Sequence, residues 1–451
     1  MKRLIYTVIC FLTLLSLTAT PDRVRMISIG LDYANSPSEE MLLYGTLNDA
    51  YQMTAALQNV MEAKGVEFES ILMIQEGKGD YYVEITVTAE KNLRALVDEV
   101  EEILISLNPD STDAMEYELD EKTYLIRDRV ADAEILDALY DELAAVDAGD
   151  GSVDFDFFDI KDTPLYPSAD NILNEILLSS DLDYDDLLIV YYSGHGGSEN
   201  AFTRLSMEEL LKPYVDDGRL TEKQRDTVLG LDVIITDCVM DALIRLDVDE
   251  GTILDIAEKM DSSSDTYKTG VLATAYTYDN YYADCTSLEM YMLYVALSFL
   301  KCDSVLILDS CFSGFASDNL SDYLEDSDYD HAVNIEVMSA STKEETSEEY
   351  GVELDNGDYE DHGAFTLAVL SKLGWKLSTE ESTTITVPFY TIDDDGSVVD
   401  IGIEKEVNGY TAFIPERQTA SEFFQSVMAD WDEEGQHPQA GESSYLLYFI
   451  P

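Results

Sequence analysis

Apolar positions along this chain alternate between two periodicities, so strand-like and helix-like segments follow one another. Val24–Asp32 (VRMISIGLD) is a short apolar run that exits through the turn-rich Asp32-Tyr33-Ala34-Asn35-Ser36-Pro37. Leu42–Lys64 then places Leu43, Leu47, Ala50, Met53, Leu57 and Met61 at helical spacing, with Gly65 as a stop. Leu187–Gly197 (LLIVYYSGHGG) and Val305–Gly314 (VLILDSCFSG) are nearly continuous apolar runs cut off by small residues. That pattern belongs to parallel strands buried on both faces. A helix capped by Ser168 is predicted over Ser168–Leu178, and an apolar helix over Ser287–Phe299. Asn334–Ala340 and Tyr445–Ile450 read as further strands, the latter at an edge, and Ala364–Leu373 and Ser421–Trp431 as helices. Alternating strands and helices of this kind predict an α/β protein built around a mostly parallel sheet.

Two stretches interrupt the alternation. In residues 66–150, Tyr81–Thr88 alternates like a strand, Ala89–Leu107 is helical, Met115–Asp128 is a hairpin around Glu121-Lys122, and Ala131–Val146 is helical again. With Val153–Ile160 as a closing strand, the order is β-α-β-β-α-β, that of a small ferredoxin-like α+β insertion. The alternative is that these strands extend the main sheet, with Val153–Ile160 as its second core strand. The segment 198–285 is far longer than one crossover helix needs and reads as a second insertion. Within it, Ser262–Gly270 (SSSDTYKTG) has the composition of an exposed loop. Later in the chain, Asp393-Asp394-Asp395-Gly396 is a hairpin turn between Thr384–Ile392 and Ser397–Ile403.

Chemistry concentrates where the two apolar strands end. Side chains alternate along a strand, so Asp309 and Cys311 point to one side at its carboxyl end. In open parallel sheets, ligands bind beyond the carboxyl ends of the strands. His195 sits in the glycine turn that ends the other strand. If the strands are neighbours, a thiol and an imidazole lie side by side as nucleophile and base. The other histidines, His331, His362 and His437, read as loop, cap or surface residues.

A strand ending in Ser-Gly-His-Gly, followed by one ending in Asp-Ser-Cys-Phe-Ser-Gly, resembles the caspase/metacaspase group of cysteine peptidases. Gly45–Ala50 (GTLNDA), Ser339–Ser347 (SASTKEETS) and His362–Thr366 (HGAFT) resemble further motifs of that group, in the same order. The resemblance covers about half of the chain. It implies a caspase-like three-layer αβα sandwich, here over 22–65 and 153–451, carrying the two insertions. It also implies a His195–Cys311 dyad, with the backbone N–H groups of Gly196 and Cys311 as the oxyanion hole. Asp309 would then accept a basic P1 side chain, with Asp32 as a second candidate for the pocket wall. Cleavage after Arg or Lys follows, and Lys268 in the Ser262–Gly270 loop becomes a candidate self-cleavage point. Phe312 stands where metacaspases usually have His, and the acidic cluster that binds calcium in some of them is not evident here.

The composition narrows the partners. Against 93 Asp and Glu there are 26 Lys and Arg, a net charge of −67. Such a surface repels nucleic acid and anionic membranes and attracts cations and basic peptides. With 46% of residues apolar, the charge does not signal disorder. Lys2, Arg3 and the apolar Leu4–Leu17 form a secretory signal over residues 1–20, too short to span a bilayer comfortably. Secretion is the expected destination. Of Cys10, Cys238, Cys285, Cys302 and Cys311, no two form a Cys-x-x-Cys pair, so no zinc site is indicated and no cofactor is called for. Cys238 and Cys285 are candidates to pair. Two functions remain open: a secreted endopeptidase acting on protein or peptide substrates, and a catalytically silent caspase-like fold that binds cationic partners through its acidic surface.

Overall fold

Among the described residues, six strands form the central sheet, in the order Glu67–Gln75, Arg23–Leu31, Leu187–Ser193, Asp303–Asp309, Ile335–Ser339 and Gln439–Gly441. The first five run parallel and the last pairs antiparallel. The computed structural model describes residues 21–34, 36, 41–77, 81–108, 115–130, 133–231, 234–275, 287–318, 334–392, 398–431, 433, 435–441 and 447–451. The expected signal segment over residues 1–20, Cys10, Cys285, His331 and the turn expected at Asp393–Gly396 lie outside them.

The apolar runs become strands because both of their faces are covered. Met26, Ile189, Tyr191, Val305 and Ile307 enter one core, with helices Thr46–Lys64, Ala364–Lys372 and Ala420–Ala429. Their sequence neighbours Ile27, Leu188, Val190, Leu306 and Leu308 enter the opposite core, with helices Ala169–Leu178 and Met290–Leu297. The result is three layers, helix–sheet–helix, around a mostly parallel sheet. Ser168 caps its helix by accepting from the Asn171 N–H, and Gly65, at φ 74°, ends the first helix.

The boundaries of the insertions differ from expectation. Residues 67–75 were expected in the first insertion but form the edge of the main sheet, in register from Arg23↔Glu67 to Leu31↔Gln75. Their first half is charged and half-exposed, as edge strands are, and so lacks the apolar signature of a central strand. The insertion proper is a four-stranded antiparallel sheet ordered Met115–Asp120, Thr123–Val130, Tyr81–Thr88, Ser152–Asp159. Its helices Leu93–Leu107 and Ala133–Ala144 cover one face around Val97, Val100 and Leu139. This is a split βαβ arrangement, and Ser152–Asp159 belongs to it rather than to the main sheet.

Its other face meets the main body at Arg127. That side chain is 2% exposed, pairs with Glu84 at 2.7 Å, and sets its guanidinium 3.8 Å from the ring centre of Phe389.

The second insertion is carried by an antiparallel pair, Gly196–Ala201 and Tyr267–Ala273. Between these strands, helices Arg204–Asp216, Glu222–Leu229, Thr236–Arg245 and Glu250–Asp261 pack around Met207, Leu211, Val239, Leu243 and Ile256. Lys268 is therefore not in a loop. It lies opposite Asn200 in a strand, and Thr269 after it is buried. Backbone held in a ladder is a poor site for nicking. At the far end of the chain, Tyr448–Ile450 pairs with Gln418–Thr419, so the expected edge strand stands outside the main sheet and Gln439–Gly441 takes that edge.

Candidate active site

Sheet register brings the two glycine turns together. Ser193 pairs with Asp309 across neighbouring strands, so His195 and Cys311 each lie two residues beyond the same rung. Both line one cleft of about 140 Å³ at the carboxyl end of the sheet, together with Asp49, Asp309, Glu348 and Glu349. No Lys or Arg side chain is among its lining residues.

Cys311 is half-buried. Its Sγ accepts from the Ser347 N–H at 3.4 Å. Burial pushes the thiol above its ordinary range, that N–H opposes the rise, and the Asp309 charge adds to it. Phe312, next in the chain, has φ 56° and donates its N–H to Glu345 O at 2.8 Å. A non-glycine residue in the left-handed region costs ~1–3 kcal/mol, and here it turns the chain sharply straight after Cys311.

His195 Nε2 lies 2.8 Å from the Met41 carbonyl oxygen. A carbonyl can only accept, so Nε2 carries the proton and Nδ1 in the neutral ring is left basic. Burial lowers the imidazole below its ordinary value, against the opposing pull of that hydrogen bond. Both shifts, up for the thiol and down for the imidazole, disfavour the charged forms, so neither environment favours a thiolate–imidazolium ion pair.

Gly196 packs directly against the Cys311 backbone, since a Cβ there would lie 2.1 Å from the Cys311 carbonyl oxygen. The Ala273 N–H donates to the His195 carbonyl, which makes His195 and Ala273 a hydrogen-bonded pair of the ladder. Hydrogen-bonded and non-bonded pairs alternate, so the Gly196 N–H is turned out of the ladder.

The floor of the cleft is acidic. Asp309 is 4% exposed, accepts from Ser347 Oγ, Thr366 N–H and Thr366 Oγ1, and faces Asp49. Burial first, and repulsion from Asp49 second, push it up to about 6. Asp49 is buried completely and accepts from Ser193 Oγ, the Gly363 N–H and His362 Nδ1. His362 also sits 3.1 Å from Glu360 Oε1, off the line of a hydrogen bond. Burial alone would lower His362, but the Asp49 and Glu360 carboxylates raise it to about 9. Gly363 separates the two floor carboxylates, and a Cβ there would lie 2.2 Å from Asp309 Oδ2.

Several of these residues depart from the sequence reading. Asp32 does not line the cleft, because its carboxylate accepts from the Ala34 and Gly77 N–H groups and closes its own turn. His362 is neither a cap nor a surface residue but the buried partner of Asp49. Asp49, Ser193 and the Met41 carbonyl were missed as site groups. The motif Asn48-Asp49-Ala50 was a signal for Asp49, whereas a backbone carbonyl leaves none in a sequence. His437 is exposed on Glu345. Cys238 is disulfide-bonded, and Cys302 is free and buried, its thiol pushed to about 12 by burial.

Among the described residues, no group of three or more His, Cys, Asp or Glu is placed to hold a metal ion, and no helix is long and apolar enough to cross a membrane. Compared with known proteins, the chain matches no family model and no curated protein.

Proposed function

We propose that this protein is a secreted, caspase-like cysteine endopeptidase that cleaves after Arg or Lys. The observation that carries the reading is the convergence of a thiol, an imidazole whose Nε2 is held by the Met41 carbonyl, and two buried carboxylates in one cleft lined by no Lys or Arg. A basic P1 side chain entering the cleft would meet Asp309 and Asp49 at its end, and charge-assisted hydrogen bonds would repay their desolvation. The scissile carbonyl then lies near Cys311.

The thiol proton passes to Nδ1 of His195 as Sγ attacks the carbonyl carbon, which avoids any need for a preformed thiolate. The N–H groups of Gly196 and Cys311 receive the developing oxyanion, and losing one such donor costs ~3 kcal/mol. Collapse of the tetrahedral adduct breaks the C–N bond, and the imidazolium proton goes to the leaving amine. Water, deprotonated by Nδ1, then hydrolyses the thioester and returns the proton to Cys311. The Met41 carbonyl holds the ring and its tautomer throughout.

The test pairs peptides bearing Arg, Lys, Asp or Leu at P1 with labelling by an arginyl chloromethyl ketone. Wild type should hydrolyse the Arg and Lys peptides and carry the label on Cys311, and Cys311→Ala should do neither. A folded wild-type protein that neither hydrolyses nor labels would leave the silent scaffold as the better reading.

A further inference from the structure

His195 is held by more than the Met41 carbonyl. Its backbone N–H donates to the Tyr33 hydroxyl at 2.9 Å, the Tyr33 and Tyr192 hydroxyls are 2.9 Å apart, and the Tyr192 hydroxyl reaches the His195 carbonyl at 2.8 Å. Each phenol has one proton to donate. One assignment fills all three contacts: His195 N–H to Tyr33 oxygen, Tyr33 hydroxyl to Tyr192 oxygen, and Tyr192 hydroxyl to His195 carbonyl. The hydrogen bonds then close a ring that begins and ends on the same residue. Both phenols are buried, at 1% and 0% exposure, where such chains strengthen one another.

The surroundings are shaped to this ring. Gly194 and Gly196 flank His195 and would by themselves leave the turn loose. A Cβ on Gly194 would lie 2.5 Å from the Tyr33 hydroxyl oxygen and 2.7 Å from that of Tyr192, so the turn is thin where the phenols pack on it. The Tyr33 ring also lies 4.8 Å from the imidazole, centre to centre. Both hydroxyls approach the Ala273 carbonyl, at 2.9 and 2.6 Å, a second acceptor at the end of the strand that leaves the helical insertion. Neither tyrosine lines the cleft.

We infer that Tyr33 and Tyr192 are positioning residues for His195, their hydroxyl ring fixing the turn that carries the imidazole held by the Met41 carbonyl. The inference rests on the Cys–His reading given above. Opening the ring at either phenol frees the same turn, so the two contributions are one contribution.

Tyr33→Phe, Tyr192→Phe and the double variant test it. For a P1-Arg peptide, kcat should fall by up to about 100-fold in each single variant, as expected of a displaced catalytic group, with KM unchanged. The double variant should be no worse than the poorer single one. A second readout needs no substrate: the pH profile of Cys311 alkylation by iodoacetamide, followed beside thermal unfolding. Loosening the turn takes the imidazole base away from the thiol, so the apparent pKa of alkylation should rise in both variants.

Unchanged kcat in both single variants, losses that multiply in the double, or an unmoved alkylation profile each overturn the inference. A wild type that cleaves nothing, with a profile that shifts in the variants, removes the peptidase reading and leaves the ring standing. A wild type and variants that cleave equally, with one common profile, do the reverse.

Discussion

Asp309→Asn separates what the pocket does for the substrate from what it costs the fold. Burial and the neighbouring Asp49 raise Asp309 from 3.8 to about 6, so its charged form is disfavoured in the folded protein. A shift of about two units corresponds to ~3 kcal/mol, the upper limit of what neutralising the group can return. Asn keeps a carbonyl oxygen for the Thr366 N–H and presents an amide that Ser347 Oγ can accept, so no new orphan group is forced. The sign follows from the raised pKa. Below about pH 4 the carboxyl is protonated in both folded and unfolded chains, and wild type gains or loses nothing through it. Between about 4 and 6 the unfolded chain ionises first, and the folded state loses stability as pH rises. Urea unfolding at pH 4, 5, 6 and 7.5 should therefore show the Asn variant gaining on wild type up to about pH 6 and holding the gain above it. Turnover of P1-Arg peptides should move the other way. Loss of one partner of a buried charge pair costs ~2 kcal/mol or more, at least ~30-fold in kcat/KM. Wild-type kcat/KM on the same peptides should climb as pH passes through about 6. An Asn variant less stable than wild type at pH 7.5, or as active on basic peptides, would refute the reasoning.

Three further outcomes are expected. Gly363→Ala has an allowed backbone (φ −63°, ψ 134°) but sets a methyl 2.2 Å from Asp309 Oδ2, so hydrolysis of basic peptides should fall about 100-fold while iodoacetamide still reaches Cys311 at the wild-type rate. His362 is raised to about 9, so its contribution is complete below about 6.5 and is lost as pH climbs through 9. Wild-type melting temperature should decline across that window, and His362→Gln should melt lower at pH 6.5 with a flatter profile; parallel profiles would contradict the assignment. Arg127→Met removes the guanidinium 2.7 Å from Glu84 and 3.8 Å from the Phe389 ring centre, for which ~3–5 kcal/mol of lost stability is expected from urea unfolding, and a loss below ~1 kcal/mol would show that the face against Phe389 contributes little.

The chain carries its central strands openly. In Leu187–Ser193 and Asp303–Asp309 consecutive residues feed opposite cores, so both faces must be apolar, and that requirement is written into the sequence as unbroken apolar runs. Small residues cut those runs at the carboxyl ends, and this local pattern alone singled out His195, Asp309 and Cys311 as residues to be tested together. Strand 67–75 escaped because an edge strand needs only part of that pattern.

The pocket itself was decided by the tertiary structure. Asp49 comes from the first helix, Met41 from the segment before it, and His362 and Gly363 from a hairpin more than three hundred residues later in the chain. Their meeting depends on helix Thr46–Lys64 lying across the sheet beside Ala364–Lys372, a pairing that no local run of residues encodes. His362 shows the reason most plainly. It reads in the sequence as a cap or surface residue, yet it is buried, because Asp49, distant along the chain, joins Glu360 in supplying the charge that makes a buried imidazolium tolerable.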